Sequence, residues 1–141
     1  AAPVGSIVAG TEEFIVRARA GLKILGGAMR QSGVIAAAGL VALNEMVDRL
    51  PEDHRRARTL AEGLNAIDGI SVDLETVQTN IIIFSVLPAM TNDDFVAAMR
   101  ARGILVSNYG TRGVRMLTHY QIDDAAIERA LAAAAEVMQA A

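Results

Sequence analysis

A chain of 141 residues with a formal charge of −3, 52% hydrophobic side chains and only 4% aromatic ones carries enough Ala, Val, Ile and Leu to build a helix-and-strand core. It has no run of Lys and Arg and no basic patch interleaved with aromatics, which excludes nucleic acid as a partner. With no cysteine it has no disulfide, no thiolate metal site and no thiol nucleophile, and its longest apolar stretch, residues 34–43, is half of the ~20 residues a membrane span needs. The N-terminus lacks the basic flank of a leader, and cytoplasm is the expected compartment.

In chain order, Ile7-Val8-Ala9 between glycines predicts a short buried strand after a tight turn at Pro3 to Ser6. Thr11 then caps a helix whose first turn holds Glu12 and Glu13 and whose apolar residues recur at helical spacing up to Gly26-Gly27. A loop with Ala28, Met29, Arg30 and Gln31 leads to Ser32, the expected cap of an Ala-rich helix over 32–50 that is apolar nearly all round and so buried. Pro51, tolerated in a first turn, opens an amphipathic helix over 51–67. From there strands are expected at 70–74, 80–87, 104–107 and 114–118, with helices at 92–102 and 123–139. The predicted fold class is α/β. Its boundary falls at Leu50-Pro51, dividing residues 1–50 from a compact α/β unit, 51–141.

A predicted strand at the first residues is unusual, because most domains open on solvated residues, and the chain reads as a portion of a longer one. The string Ala2-Pro3-Val4-Gly5-Ser6, then Gly10 with Glu12 to Phe14, then Lys23 through Gly26-Gly27-Ala28-Met29-Arg30-Gln31, resembles the low-specificity threonine aldolases of the aspartate-aminotransferase fold. Glu52-Asp53-His54, Thr79-Asn80 and Val114-Arg115-Met116-Leu117-Thr118-His119 fall in matching order at matching distances. The resemblance runs end to end. It implies the C-terminal part of a fold-type-I pyridoxal-phosphate enzyme: residues 1–50 as the tail of the large cofactor domain with a linking helix, and 51–141 as the small C-terminal domain.

The resemblance also implies the activity, cleavage of L-threonine or L-allo-threonine to glycine and acetaldehyde, in a homo-oligomeric enzyme. The lysine that forms the imine with pyridoxal 5'-phosphate is expected upstream of residue 1, so residues 1–141 alone are expected to be inactive and to need the remainder of the enzyme as a partner. Relatives of the same fold carry out β-elimination or transamination, and a non-catalytic α/β module that binds an anion or mediates assembly is the rival reading from another class.

Three residues are candidates for the site. Arg115 stands in a predicted strand among apolar neighbours, where a charge is costly unless it meets a partner, and a guanidinium fork matches a carboxylate in two-point geometry. The resemblance makes it the substrate-carboxylate residue. Arg30 lies just before a predicted helix N-terminus, where backbone N–H groups and a cation together attract anions; the resemblance puts it near the cofactor phosphate or a catalytic water, in its own or a neighbouring subunit's site. Lys23, the only lysine among 13 cationic side chains, resembles the family's second active-site lysine. It does not suit the imine role, because a Schiff-base lysine is usually buried and Lys23 ends a surface-looking helix. His119, a strand-end histidine, reads as packing or capping, and His54 as solvent-facing or subunit-facing. With the two histidines 65 positions apart and no carboxylate cluster beside them, no metal site is expected.

Overall fold

The computed structural model describes residues 2, 7–86 and 90–140, so the expected turn at Pro3 to Ser6 and the expected end of a strand at Leu87 lie outside the described residues. The chain divides into two compact units, Ala1–Asp48 and Arg49–Ala141, each described by itself.

The first unit is helical. Thr11 takes the cap position expected of it, its hydroxyl accepting from Phe14 N at 3.3 Å, and α1 (Glu12–Ile24) follows with acids in its first turn and Lys23 in its last. Both charges complement the helix dipole. Gly26, at φ 74°, ends it in the left-handed region. The helix α2 (Gly33–Val41) is capped by position but not by chemistry, since Ser32 makes no side-chain hydrogen bond to it. It widens into a π turn, Ala42–Met46, and a tight 3-10 turn, Val47–Arg49, comes next in the chain. The single helix expected over 32–50 thus changes pitch twice. No described side chain of α1, α2 or the π turn is buried. Ile7, Ile24, Leu25 and Val34 each keep more than four-fifths of their surface. The expected buried strand at Ile7 to Ala9 is not formed: these residues are exposed coil, because a strand needs a neighbour to accept its backbone hydrogen bonds, and none of the described residues pairs with it.

The second unit holds the core. Helix α3 (Leu50–Asn65) starts with Pro51 in its first turn, as expected of a residue without an N–H. Strands β1 (Ile70–Val72), β2 (Ile81–Val86), β3 (Ser107–Asn108) and β4 (Val114–Leu117) form one antiparallel sheet in the order β1-β2-β4-β3. Helices α4 (Asn92–Ala101) and α5 (Asp124–Gln139) are capped by Thr91 and Asp123. The alternate residues Ile70, Val72, Ile82, Phe84, Val114 and Met116 are buried, which is the period of two that one covered face imposes. Against them pack Ala57, Leu60, Ala61 and Leu64 of α3, Phe95 and Met99 of α4, and Ile127, Ala134 and Val137 of α5. Phe84 and Phe95 meet edge to face, centroids 5.6 Å apart and planes at 80°. Alanines at 57, 61, 130, 133 and 134 let the helices approach closely. The strand expected at 104–107 forms only at its last residue: Ser107 and Asn108 pair with β4, while Ile104 instead donates to the carbonyl of Met99, 3.0 Å away at the end of α4.

Candidate active site

Arg115 occupies the second position of β4, between Val114 and Met116, which both point into the core. The pleat therefore sends Arg115 to the opposite face, beside Ile83 of β2 and Ser107 of β3. Its Nε is buried and has no hydrogen-bond partner. An unmet buried donor costs about 1–3 kcal/mol, and more when it is charged, so this atom marks a place where an acceptor belongs. The guanidinium carbon lies 5.4 Å from the centroid of the Tyr109 ring, and that of Arg112 lies 5.3 Å from the same centroid. Among the described residues neither arginine pairs with a carboxylate. The positive charge at this end of the sheet is not neutralised from within.

The turn that presents Tyr109 and Arg112 is tied down on several sides. Tyr109 N donates to Gly113 O at 2.8 Å, and Gly113 N to Gly110 O at 3.2 Å. Asn108 Oδ1 accepts from Gly110 N at 2.8 Å while its Nδ2 donates to Asp93 Oδ1 at 2.6 Å, and Asn92 Nδ2 donates to Gly110 O at 3.1 Å. The turn is thereby fixed to the start of α4. Gly113, at φ 105°, lies so close to the carbonyl of Phe84 that any Cβ there would collide with it.

The far end of β4 is held by the other strings singled out in the sequence. Thr118 donates its buried hydroxyl to the Asp53 carbonyl at 2.7 Å, and its N–H to Asn80 O at 3.0 Å. Asn80 Nδ2 returns a bond to Thr118 O at 2.6 Å. The buried Asp53 carboxylate accepts from both terminal nitrogens of Arg49, at 2.8 and 2.9 Å. That hydrogen bond raises the Arg49 pKa above its ordinary value, against a smaller opposing effect of desolvation. Arg49 also lies over the Tyr120 ring, 5.9 Å from its centroid. His119 accepts from Gln121 N at 3.3 Å through Nδ1 and tilts against Tyr120, the contacts of a residue that shapes a chain reversal. Asp53, Asn80 and Thr118 therefore brace the strand that carries Arg115. His54 is half-buried on α3.

Because the segment 104–106 does not pair with β4, an open pocket of about 500 Å³ lies alongside that strand. Its lining includes Arg115 and His119, the apolar Leu105, Leu117 and Ile122, and a further cation, Arg129. Arg115 and His119 thus share one pocket. Lys23 and Arg30 belong to the first unit, where both are exposed: Lys23 in the last turn of α1, and Arg30 in the loop before α2, whose first turn contains no acid. Among the described residues, no three His, Asp or Glu side chains converge as a metal site, and no helix is long and apolar enough to cross a membrane. Sequence reasoning missed Tyr109 and Arg112. The glycines on either side of Thr111-Arg112 announce a tight turn, but nothing in the spacing shows that the turn lays one aromatic ring against two arginines.

The beta-eliminating lyase family matches residues 1–86. A probable low-specificity L-threonine aldolase 2 of Arabidopsis thaliana is 43% identical over 132 residues, which is 92% of this chain and 37% of that protein. The low specificity L-threonine aldolase of Escherichia coli K12 is 37% identical over 124 residues, 85% of this chain and 34% of the relative. The chain spans about a third of the length of the curated relatives it matches. Among solved structures, the aspartate aminotransferase of Rhizobium meliloti superposes with a TM-score of 0.62 at 23% identity, over 92% of this chain and 36% of that one. The cystine C-S lyase C-DES, solved with its product cysteine persulfide, superposes with a TM-score of 0.63 at 20% identity, over 74% of this chain and 28% of that one. Likeness at such low identity shows a common fold, the fold-type-I architecture expected from the sequence, and the family match over residues 1–86, more than half of the chain, establishes that it belongs to the beta-eliminating lyase family.

Proposed function

We propose that this chain is the C-terminal portion of a pyridoxal-phosphate-dependent aldolase that cleaves L-threonine or L-allo-threonine between Cα and Cβ, giving glycine and acetaldehyde. Support comes from the threonine aldolases of two kingdoms that match over most of its length. The observation that carries the reading is the buried, unpartnered Nε of Arg115 on β4. A carboxylate is the acceptor that a guanidinium fork fits best.

The residues present suit the cofactor's anionic end. Arg30 is exposed and has no carboxylate partner among the described residues, and the first turn of α2 receives no cap from Ser32 and contains no acid. A cation next to an uncapped helix start attracts a phosphate, so Arg30 is assigned to the cofactor phosphate. Lys23, the family's second lysine by resemblance, is assigned a supporting charge in the same site. Its exposure in the last turn of α1 speaks against the imine role, which falls to a lysine outside this sequence. When bound, pyridoxal phosphate supplies the electron sink for the pair released at Cα.

This chain contributes orientation. Arg115 holds the substrate α-carboxylate at two points, which fixes rotation about the bond to Cα and so decides which bond is aligned for cleavage. Leu105, Leu117 and Ile122 give the adjoining open pocket an apolar side. We further take the enzyme to be a cytoplasmic homo-oligomer in which other protein surface covers the exposed Ile24, Leu25 and Val34. The direct test is to incubate the full-length protein and cofactor with L-threonine. Stoichiometric acetaldehyde and glycine support the proposal, and formation of a 2-oxo acid, by transamination or by elimination, refutes the aldolase activity.

A further inference from the structure

We propose that Tyr109 is a positioning residue for Arg115: its ring is the surface against which the guanidinium is laid, so that the fork meets a carboxylate in one fixed orientation. The proposal rests on the carboxylate role given to Arg115 above. An arginine on a strand has several rotatable bonds and loses much freedom when it is held still, and this one has no hydrogen bond or ion pair at Nε to hold it. The ring lies 5.4 Å from the guanidinium carbon and makes no claim on its N–H groups. Contact with the face of a guanidinium leaves the N–H groups in its plane free, which is what a residue waiting for a two-point partner requires.

The position of the ring is itself determined. Tyr109 N is bonded to Gly113 O, Gly110 is bonded to Asn108 and Asn92, and Gly113 lies against the Phe84 carbonyl in a conformation that only glycine fits. The chain is thus fixed just before the ring and just before Arg115. Arg112, 5.3 Å from the same ring, places a second cation there, so an arriving carboxylate also relieves the repulsion between like charges. Tyr109 makes its contact through the ring, so the hydroxyl is expected to be dispensable.

The test uses the full-length enzyme with ¹⁵N-labelled arginine, its Arg115 Nε–Hε resonance assigned by its loss in Arg115→Lys. Wild type and Tyr109→Phe are expected to show a slowly exchanging Hε, KM values within about twofold of each other and equal kcat. Tyr109→Leu, and Tyr109→Met as a second ringless variant, are expected to lose the slow exchange and to raise KM by about three- to tenfold, the range of a partly desolvated cation–ring contact, with kcat within about twofold. If either ringless variant folds with wild-type melting and keeps both the resonance and the KM, the proposal is overturned; it is overturned equally if Tyr109→Phe behaves like Tyr109→Leu. Failure of the carboxylate role would show elsewhere, as an Arg115→Ala variant whose kcat/KM stays within about threefold of wild type, and the resonance alone would then decide whether Tyr109 holds Arg115.

Discussion

Thr118 and Asp53, 65 residues apart, are joined by a buried hydrogen bond of 2.7 Å from the threonine hydroxyl to the aspartate's backbone carbonyl. It links the end of the strand that carries Arg115 to the first turn of α3. Thr118→Val keeps the shape but removes the second donor to that carbonyl, which still accepts the helical N–H four residues on, and should cost about 0.5–1.5 kcal/mol. Thr118→Ser, which retains the hydroxyl, should cost less than Thr118→Val. Denaturant midpoints of the three proteins check this order, and a valine variant as stable as wild type would remove Thr118 from the bracing network.

The division of the core leads to a second prediction. Every buried side chain among the described residues lies in the unit Arg49–Ala141, so a polypeptide of residues 49–141 should fold alone and melt in one cooperative transition. Residues 1–48 alone should give no such transition, because two helices without a buried residue have nothing to offset their conformational entropy. Circular dichroism melting of the two pieces decides the matter: a cooperative transition in 1–48, or none in 49–141, contradicts it.

Acid stability supplies a third. Hydrogen bonds from Arg55 and then Arg56 to Asp124, at 2.8 and 2.9 Å, hold its carboxyl below the ordinary aspartate value. The folded-state pKa is lowered, so this contribution is complete above the unfolded value of about 4 and is lost as pH falls through the folded one. The carboxylate is well exposed, so the effect is small. Wild type should exceed Asp124→Asn in stability by a constant margin above about pH 5, and the margin should close below about pH 4. A margin that persists or widens toward low pH contradicts the ion-pair account.

Much of this was legible in the sequence where a local rule decides. Thr11 caps its helix because its side chain reaches the third N–H beyond it, whereas Ser32, expected to cap by the same rule, makes no such bond; Pro51 marks a first turn because it lacks the N–H that a later turn would require. Arg115 stood out because a charge in an apolar strand needs a reason. What was not legible depends on neighbours. Ile7-Val8-Ala9 and Ile104-Leu105-Val106 have the composition of strands, yet pairing is a property of two segments. Neither run has a partner among the described residues, and the second borders a pocket instead. The meeting of Tyr109, Arg112 and Arg115 depends on the path of one turn, set by Gly110 and Gly113, which spacing alone does not reveal.

The central claim is that Arg115 receives the substrate carboxylate, and steady-state kinetics of Arg115→Ala in the full-length enzyme, measured together with its cofactor content, tests it most directly. Losing a charge-assisted two-point contact should lower kcat/KM for L-threonine by roughly thirty- to a thousandfold, about 2–4 kcal/mol, with cofactor content near wild type. Arg115→Lys should recover only part of the loss, because it restores the charge without the fork. Threonine cleavage within about threefold of wild type, well below that expected loss, or an enzyme that no longer retains its cofactor, would contradict the account.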